Sequence, residues 1–247
     1  MKILLVDIET APNLAHVWGL WQQNVAINQI MESGYTLCWA AKWLGETNTM
    51  FSSRQNHSAV QMLNSIHSLL DEADAVVSYN GVKFDLPTLN REFVVHNLPP
   101  PSPYRQIDLL QVVKKQFKFP SNKLDYVTQA LGLGQKIKHI GHELWVRCIK
   151  GDEEAWAMMK EYNVNDVVIL EQVYNRLKPW IKNHANAGLY QDNKEVCPNC
   201  GDVHIHKRGF AYTLTNKYQR MRCNNCGNWF RSTKAESAPG RKYVNIQ

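Results

Sequence analysis

No stretch of this chain approaches the roughly 18 to 20 consecutive apolar residues that a membrane span requires. Acidic Asp7 and Glu9 also interrupt the N-terminal run where a secretory signal would continue. The sequence therefore reads as a cytoplasmic protein with no membrane partner. Charged residues are few, at 20% of 247, and the ten prolines and thirteen glycines build no extended Pro- or Gly-rich segment. Collagen-like and low-complexity classes are excluded, and an apolar content of 44% excludes disorder as the dominant state. No internal repeat is present beyond two short cysteine knuckles. The length suits one large or two modest domains with a proper hydrophobic core.

Net charge is missing from most of the chain. Residues 1–190 carry 18 basic and 18 acidic side chains, and residues 191–247 carry 10 against 4, the whole of the net +6. A basic appendage follows a neutral body, and such a unit suits a polyanion. Cysteine is just as uneven. Cys38 and Cys148 stand alone in apolar surroundings and read as small buried hydrophobes. The other four form Cys197-Pro-Asn-Cys200-Gly and Cys223-Asn-Asn-Cys226-Gly. A chain without a secretory signal is a poor candidate for structural disulfides, whereas two such knuckles supply four thiolates to one structural Zn2+.

Alternation and β-branching predict strands over 2–8, 35–43, 47–52 and 75–79. Helical periodicity predicts helices over 58–70, 86–96, 109–117, 124–131, 143–149 and 152–181, the last with Asp152 as N-cap. Short strands over 203–206, 210–214 and 219–222 complete a zinc ribbon. The expected fold class is α/β, a mixed sheet flanked by helices, with a small C-terminal β ribbon. The expected layout is a catalytic domain over 1–182, a linker over 183–193, the ribbon over 194–234 and a basic tail over 235–247.

Asp7 and Glu9 end the first strand on one side of it, since side chains alternate. Asp85 follows the turn Tyr79-Asn80-Gly81-Val82-Lys83-Phe84 at the start of a helix, where N-capping is a competing role. Tyr162 and Asp166 stand four residues apart in the long helix and so share a face. This ordered set resembles the DEDD exonucleases, the DnaQ-like branch of the ribonuclease-H-like fold, in its tyrosine-type subclass. That subclass includes the proofreading domains of family A and family B DNA polymerases and RNase D. Asp7 and Glu9 match the first motif, Asn80 to Asp85 the second in a form closest to family B, and Tyr162 and Asp166 the third. The histidine-type subclass would place His where Glu161 stands. The resemblance covers about residues 1–182.

The resemblance implies metal-dependent 3′-to-5′ exonuclease activity with two catalytic Mg2+ or Mn2+ ions held by Asp7, Glu9, Asp85 and Asp166, and with Tyr162 orienting the attacking water. Hard divalent ions take oxygen ligands, which is why carboxylates serve. Thr10, Asn80 and Phe84, within or beside the motifs, are expected to contact substrate. In the ribbon, Arg208, Arg220 and Arg222 interleave with Phe210, Tyr212, Tyr218, Trp229 and Phe230, a composition suited to phosphate contact and base stacking. The expected partner is nucleic acid, DNA with a free 3′ end ahead of RNA, and the ribbon also suits docking of a replication or repair protein. Two other readings stay open: a structure-specific endonuclease of the same fold, and a binding protein on a nuclease scaffold. Asp108 reads as an N-cap, His139 and His142 as loop histidines, and most of Trp18, Trp21, Trp39 and Trp43 as packing residues.

Overall fold

The computed structural model describes residues 1–192 and 195–236. The expected basic tail lies outside the described residues from 237 onward, as do residues 193 and 194 at the expected junction of linker and ribbon. The chain divides into two compact units, Lys2–Tyr174 and Asn175–Gln247.

The first unit contains, in chain order, β1 (Ile3–Thr10), β2 (Leu14–Ala15), β3 (Ile30–Glu32), β4 (Thr36–Trp43), β5 (Met50–Ser53), α1 (Ala59–Glu72), β6 (Ala75–Ser78), α2 (Asp85–Val95), β7 (Arg105–Asp108), α3 (Leu109–Gln116), α4 (Leu124–Ala130), α5 (His142–Ile149) and α6 (Glu153–Leu177), which continues into the second unit. Five strands form one sheet in the order β5-β4-β1-β6-β7. β4 pairs antiparallel with β1 and β5, whereas β6 runs parallel to both β1 and β7. The sheet is therefore mixed and β1 is its central strand. The two-residue β2 pairs with β3 as a separate ribbon.

Each face of β1 has its own cover. Leu4, Val6 and Ile8 pack with Met62, Leu63, Ile66 and Leu70 of α1 and Leu86, Leu89 and Phe93 of α2. On the other face Cys38 of the neighbouring strand packs with Leu144 and Cys148 of α5 and with Trp156, Met159 and Tyr162 of α6. Both lone cysteines are buried, as their surroundings suggest. Helix starts follow local chemistry. Ser58 and Gln61 exchange hydrogen bonds in a capping box ahead of α1, and Asp152 accepts from Ala155 N–H at 3.0 Å ahead of α6. The long helix stops at Leu177, and Pro179 sits in the 3-10 turn after it.

One expectation needs correction here. Trp39 is buried and Trp43 packs beside it, but Trp18 is 98% exposed and Trp21 85% exposed. Both lie in the excursion between β1 and β4, where residues 11–31 contain no Asp, Glu, Lys or Arg. Apolar composition signals a tendency to be buried, and here no helix or sheet face is offered to receive it.

The second unit holds β8 (Ile205–Tyr212), β9 (Lys217–Cys223) and β10 (Trp229–Arg231), antiparallel in the order β10-β9-β8. The separate strands expected over 203–206 and 210–214 are one strand, β8. Its register slips between Lys207 and Phe210, at Gly209 with φ +69°, so the glycine makes a bulge and not a break. β10 has no counterpart among the expected strands. Among the described residues no helix is long and apolar enough to cross a membrane.

Candidate active site and cysteine cluster

The alternation of β1 turns Asp7 and Glu9 away from the α1 and α2 side, toward the face that α6 covers. From α6, Asp166 meets them. One carboxylate oxygen from each of Asp7, Glu9 and Asp166 lies within 4.8 Å of the others. Asp85 arrives from the turn between β6 and α2, and its Oδ1 accepts from Ile8 N–H at 3.2 Å. It is the first residue of α2, with Phe84 in the N-cap position. That turn is closely built. A Cβ on Gly81 would stand 2.2 Å from Ser78 Oγ, Asn80 takes the left-handed φ of +74° that asparagine tolerates, and Asn80 N–H donates to Asp108 Oδ1 at 2.9 Å. Asp108 also accepts from Leu110 N–H at 3.0 Å, the N-cap expected of it.

Burial is the first influence on every acid. With the neighbouring charges of Asp85, Glu9 and Asp166 it holds Asp7 well above the ordinary carboxylate range. Burial and then Asp166 push Glu9 up to about 8. Burial pushes Asp85 up to about 7 against N–H donation from Ile8. Asp166 is raised by burial while Lys136 pulls the other way. Like charges this close resist joint ionisation unless a cation joins them.

One cation of the chain is already there. Lys136 Nζ donates to Asp166 Oδ2 at 2.5 Å and to the Tyr162 hydroxyl oxygen at 3.2 Å. Burial works against its charge, but Asp166 and Tyr162 outweigh that and raise its pKa. Two further side chains fix the acids: Asn163 Nδ2 donates to Asp7 Oδ2 at 2.6 Å and Trp145 Nε1 to Glu9 Oε2 at 3.1 Å. His139, read from sequence as a loop histidine, packs edge-on against Trp145 and Tyr162 at 5.0 and 4.8 Å. His142 is the first residue of α5.

Asn163 carried a legible signal, a polar residue three positions before Asp166 on the buried face of a helix. Lys136 and Trp145 carried none, since their contacts reach across 30 and 136 positions. Thr10 follows the register shift at the end of β1, and Phe84 is 45% exposed beside the site's second turn. A cavity of about 560 Å³ borders Asp7, with Tyr79, Asn80, Lys114, Lys123 and Lys136 on its walls.

The donor set suits divalent metal. The oxygens are hard ligands at sharing distance, and Asp166 Oδ1 is buried with no hydrogen-bond partner among the described residues. A buried, unsatisfied carboxylate oxygen costs free energy that a coordinated cation would recover. A simple consequence can be measured without metal. Glu9 titrates near 8 in the fold against an ordinary 4.5, so its ionisation destabilises the folded state progressively as pH rises between those values. Glu9→Gln should therefore raise the melting temperature in EDTA at pH 8, by the equivalent of roughly 4 kcal/mol, and the gain should fade as pH approaches 4.5. A gain independent of pH would place Glu9 outside this coupled group.

RNase_H_2, of the RNase_H superfamily, is matched by residues 34–178. The chain belongs to the RNase H superfamily. The matched stretch of this RNase H-like chain includes Asp85, Tyr162 and Asp166 and begins after Asp7 and Glu9. The family B DNA polymerase from the hyperthermophilic archaeon Pyrobaculum calidifontis is similar in fold, with a TM-score of 0.55 at 16% identity over 72% of this chain and 24% of the polymerase. The likeness thus spans about a quarter of that protein's length. No curated protein matches the sequence.

In the second unit Cys197, Cys200, Cys223 and Cys226 bring their sulfurs within 4.8 Å of one another. Cys197 to Cys226 and Cys200 to Cys223 are both 3.6 Å apart, too far for a disulfide at about 2.05 Å and close to the roughly 3.8 Å edge of a zinc-thiolate tetrahedron. Gly201 N–H donates to Cys197 C=O and Gly227 N–H to Cys223 C=O, and both glycines hold positive φ, so the two knuckles share one turn geometry. Burial pushes Cys197 up to about 11, whereas N–H groups of Cys226 and Asn225 overcome burial at Cys223 and lower it. Four thiolates so close need a cation, and the donor set fits Zn2+. His204 and His206 stand apart from this cluster. Arg220 and Arg222 lie 5.1 and 5.8 Å from the Trp229 ring centre, and Arg220 Nε donates to Arg208 C=O at 2.9 Å.

Proposed function

We propose that this chain is a metal-dependent 3′-to-5′ exonuclease of the tyrosine-type DEDD class, acting on DNA in preference to RNA. One observation carries the reading: Asp7, Glu9 and Asp166, from the first strand and the last helix of the unit, converge at ligand-sharing distance with Asp85 hydrogen-bonded to the residue between the first two. In this reading Asp7, Glu9, Asp85 and Asp166 hold two Mg2+ or Mn2+ ions, which supply activation of the attacking water and stabilisation of the leaving oxygen. Asn163 and Trp145 keep Asp7 and Glu9 aimed. Thr10, Asn80 and Phe84 contact the terminal nucleotides, and the walls around Asp7 bring Lys114 and Lys123 toward the phosphates.

Tyr162 positions and does not deprotonate. Burial and Asp166 raise its pKa above an already high value, so its hydroxyl keeps its proton at neutral pH. The oxygen accepts from Lys136. Tyr162→Phe should lower kcat by roughly 10 to 1,000-fold with little change in KM. An unchanged kcat would assign the ring to packing with His139 and Trp145.

The second unit is proposed as a zinc ribbon in which Cys197, Cys200, Cys223 and Cys226 hold one Zn2+, while Arg208, Arg220 and Arg222 hold the strand. The deciding experiment is digestion of 5′-labelled single and double strands in Mg2+ or Mn2+. A ladder shortening from the 3′ end supports the exonuclease. A discrete internal cut indicates an endonuclease, and an intact but retarded strand indicates a binding protein.

A further inference from the structure

The second unit contains a cavity of about 330 Å³ whose lining includes Trp180, Lys182, His184, Asn199, Trp229 and Phe230 and none of the four cysteines. Its walls come from two places in the chain, the segment after α6 and the two knuckles. Trp180 and Trp229, both on its lining, are 54% and 51% exposed, and Arg220 and Arg222 sit over the Trp229 ring. Asn199, between Cys197 and Cys200, is 2% exposed. Its Nδ2 donates to the Lys178 carbonyl at 2.9 Å. A carbonyl can only accept, which fixes the amide orientation and leaves Oδ1 as the acceptor. That Oδ1 is buried and has no donor among the described residues.

We infer that this cavity binds one unstacked nucleobase of a single strand. At about 330 Å³ it is at the small end of ligand pockets, room for a base and not for a folded epitope. Aromatic rings offer stacking that every base accepts. Cations are at hand for the phosphates: Lys182 lines the recess, and Arg220 and Arg222 sit over the Trp229 ring. Residues 175–247 hold 13 Lys and Arg against 4 Asp and Glu, a balance that favours a polyanion over an apolar peptide. The inference shares with the exonuclease reading only the premise that the ligand is a nucleic acid strand.

The experiment compares two fluorescent 12-mers, one with normal bases and one whose central residues are abasic, binding to the zinc-loaded full chain in Ca2+ to suppress cleavage. Wild type should prefer the strand with bases. Trp180→Ala should weaken binding of that strand by about 5- to 100-fold, the effect of losing one stacked base, and leave the abasic strand's affinity unchanged. Trp180→Phe, which keeps a stacking face, should recover most of the affinity. Zinc content is measured for each variant so that unfolding is not mistaken for the absence of stacking. Equal affinity of the two strands for wild type, or equal weakening on both strands with zinc retained, would overturn the inference. Because binding is read without cleavage, a catalytically silent protein can still pass this test and an active one can fail it.

Discussion

Asp7→Ala will lower the rate of Mg2+- or Mn2+-supported cleavage by about three orders of magnitude, the loss of several kcal/mol of charge stabilisation, and Asp166→Ala will do the same. Both acids are buried or half-buried with their oxygens turned to a common point, and locally each change removes one contact, the Asn163 donation to Asp7 or the Lys136 ion pair with Asp166. In EDTA the melting temperature of Asp7→Asn, which preserves shape, should equal or exceed that of the parent. Removing one charge relieves repulsion felt by Asp7 from Asp85, Glu9 and Asp166. Asp166→Asn should gain less, because it also deprives Lys136 of its ion-pair partner. Either alanine variant retaining more than a small fraction of the rate would mean that the reaction occurs elsewhere.

Cys200→Ser or Cys226→Ser should remove the metal and with it the order of the second unit. Structural zinc contributes on the order of 10 kcal/mol or more to such folds, while a three-stranded sheet of this size has little core of its own. The outcome is read as zinc content falling from one ion per chain to none, with loss of dispersed amide signals from 195–236 and retention of those from 2–174. Cleavage at saturating substrate should continue. DNA affinity should fall, and the slope of log K against log salt should flatten by about 0.7 to 0.9 for each phosphate that the unit no longer neutralises. Retained order without zinc would remove the metal from the account, and an unchanged slope would remove DNA from this unit's role.

Most of what positions the acids was legible because it is local. Period-two alternation put Asp7 and Glu9 on one side of β1, and a helical spacing of four put Tyr162 and Asp166 on one face. Asp108 announced itself as an N-cap before a helical stripe. What stayed hidden depends on the tertiary fold. Lys136 comes from a stretch between helices with no periodicity and enters the site only because α6 lies beneath it. Trp18 and Trp21 looked like packing residues since their composition says what they would bury against, not whether a surface is offered. Gly209 lies in the gap between two expected strands, because a glycine serves a turn or a bulge alike and only pairing with β9 decides between them.

β1 is the first strand of the chain and the central one of its sheet, and this has a consequence for the order of events during synthesis. Its antiparallel partner begins at Thr36, its parallel partner at Ala75, and the helix carrying Asp166 begins at Glu153. Asp7 and Asp166 are separated by 166 − 7 = 159 positions, a long-range closure of the kind that forms late. A nascent chain ending before α6 would hold Asp7, Glu9 and Asp85 without Asn163, Tyr162 or Asp166. The proposed competence to cut would therefore be withheld from every nascent chain that ends before α6, and would arrive only when the helix carrying Asp166 docks.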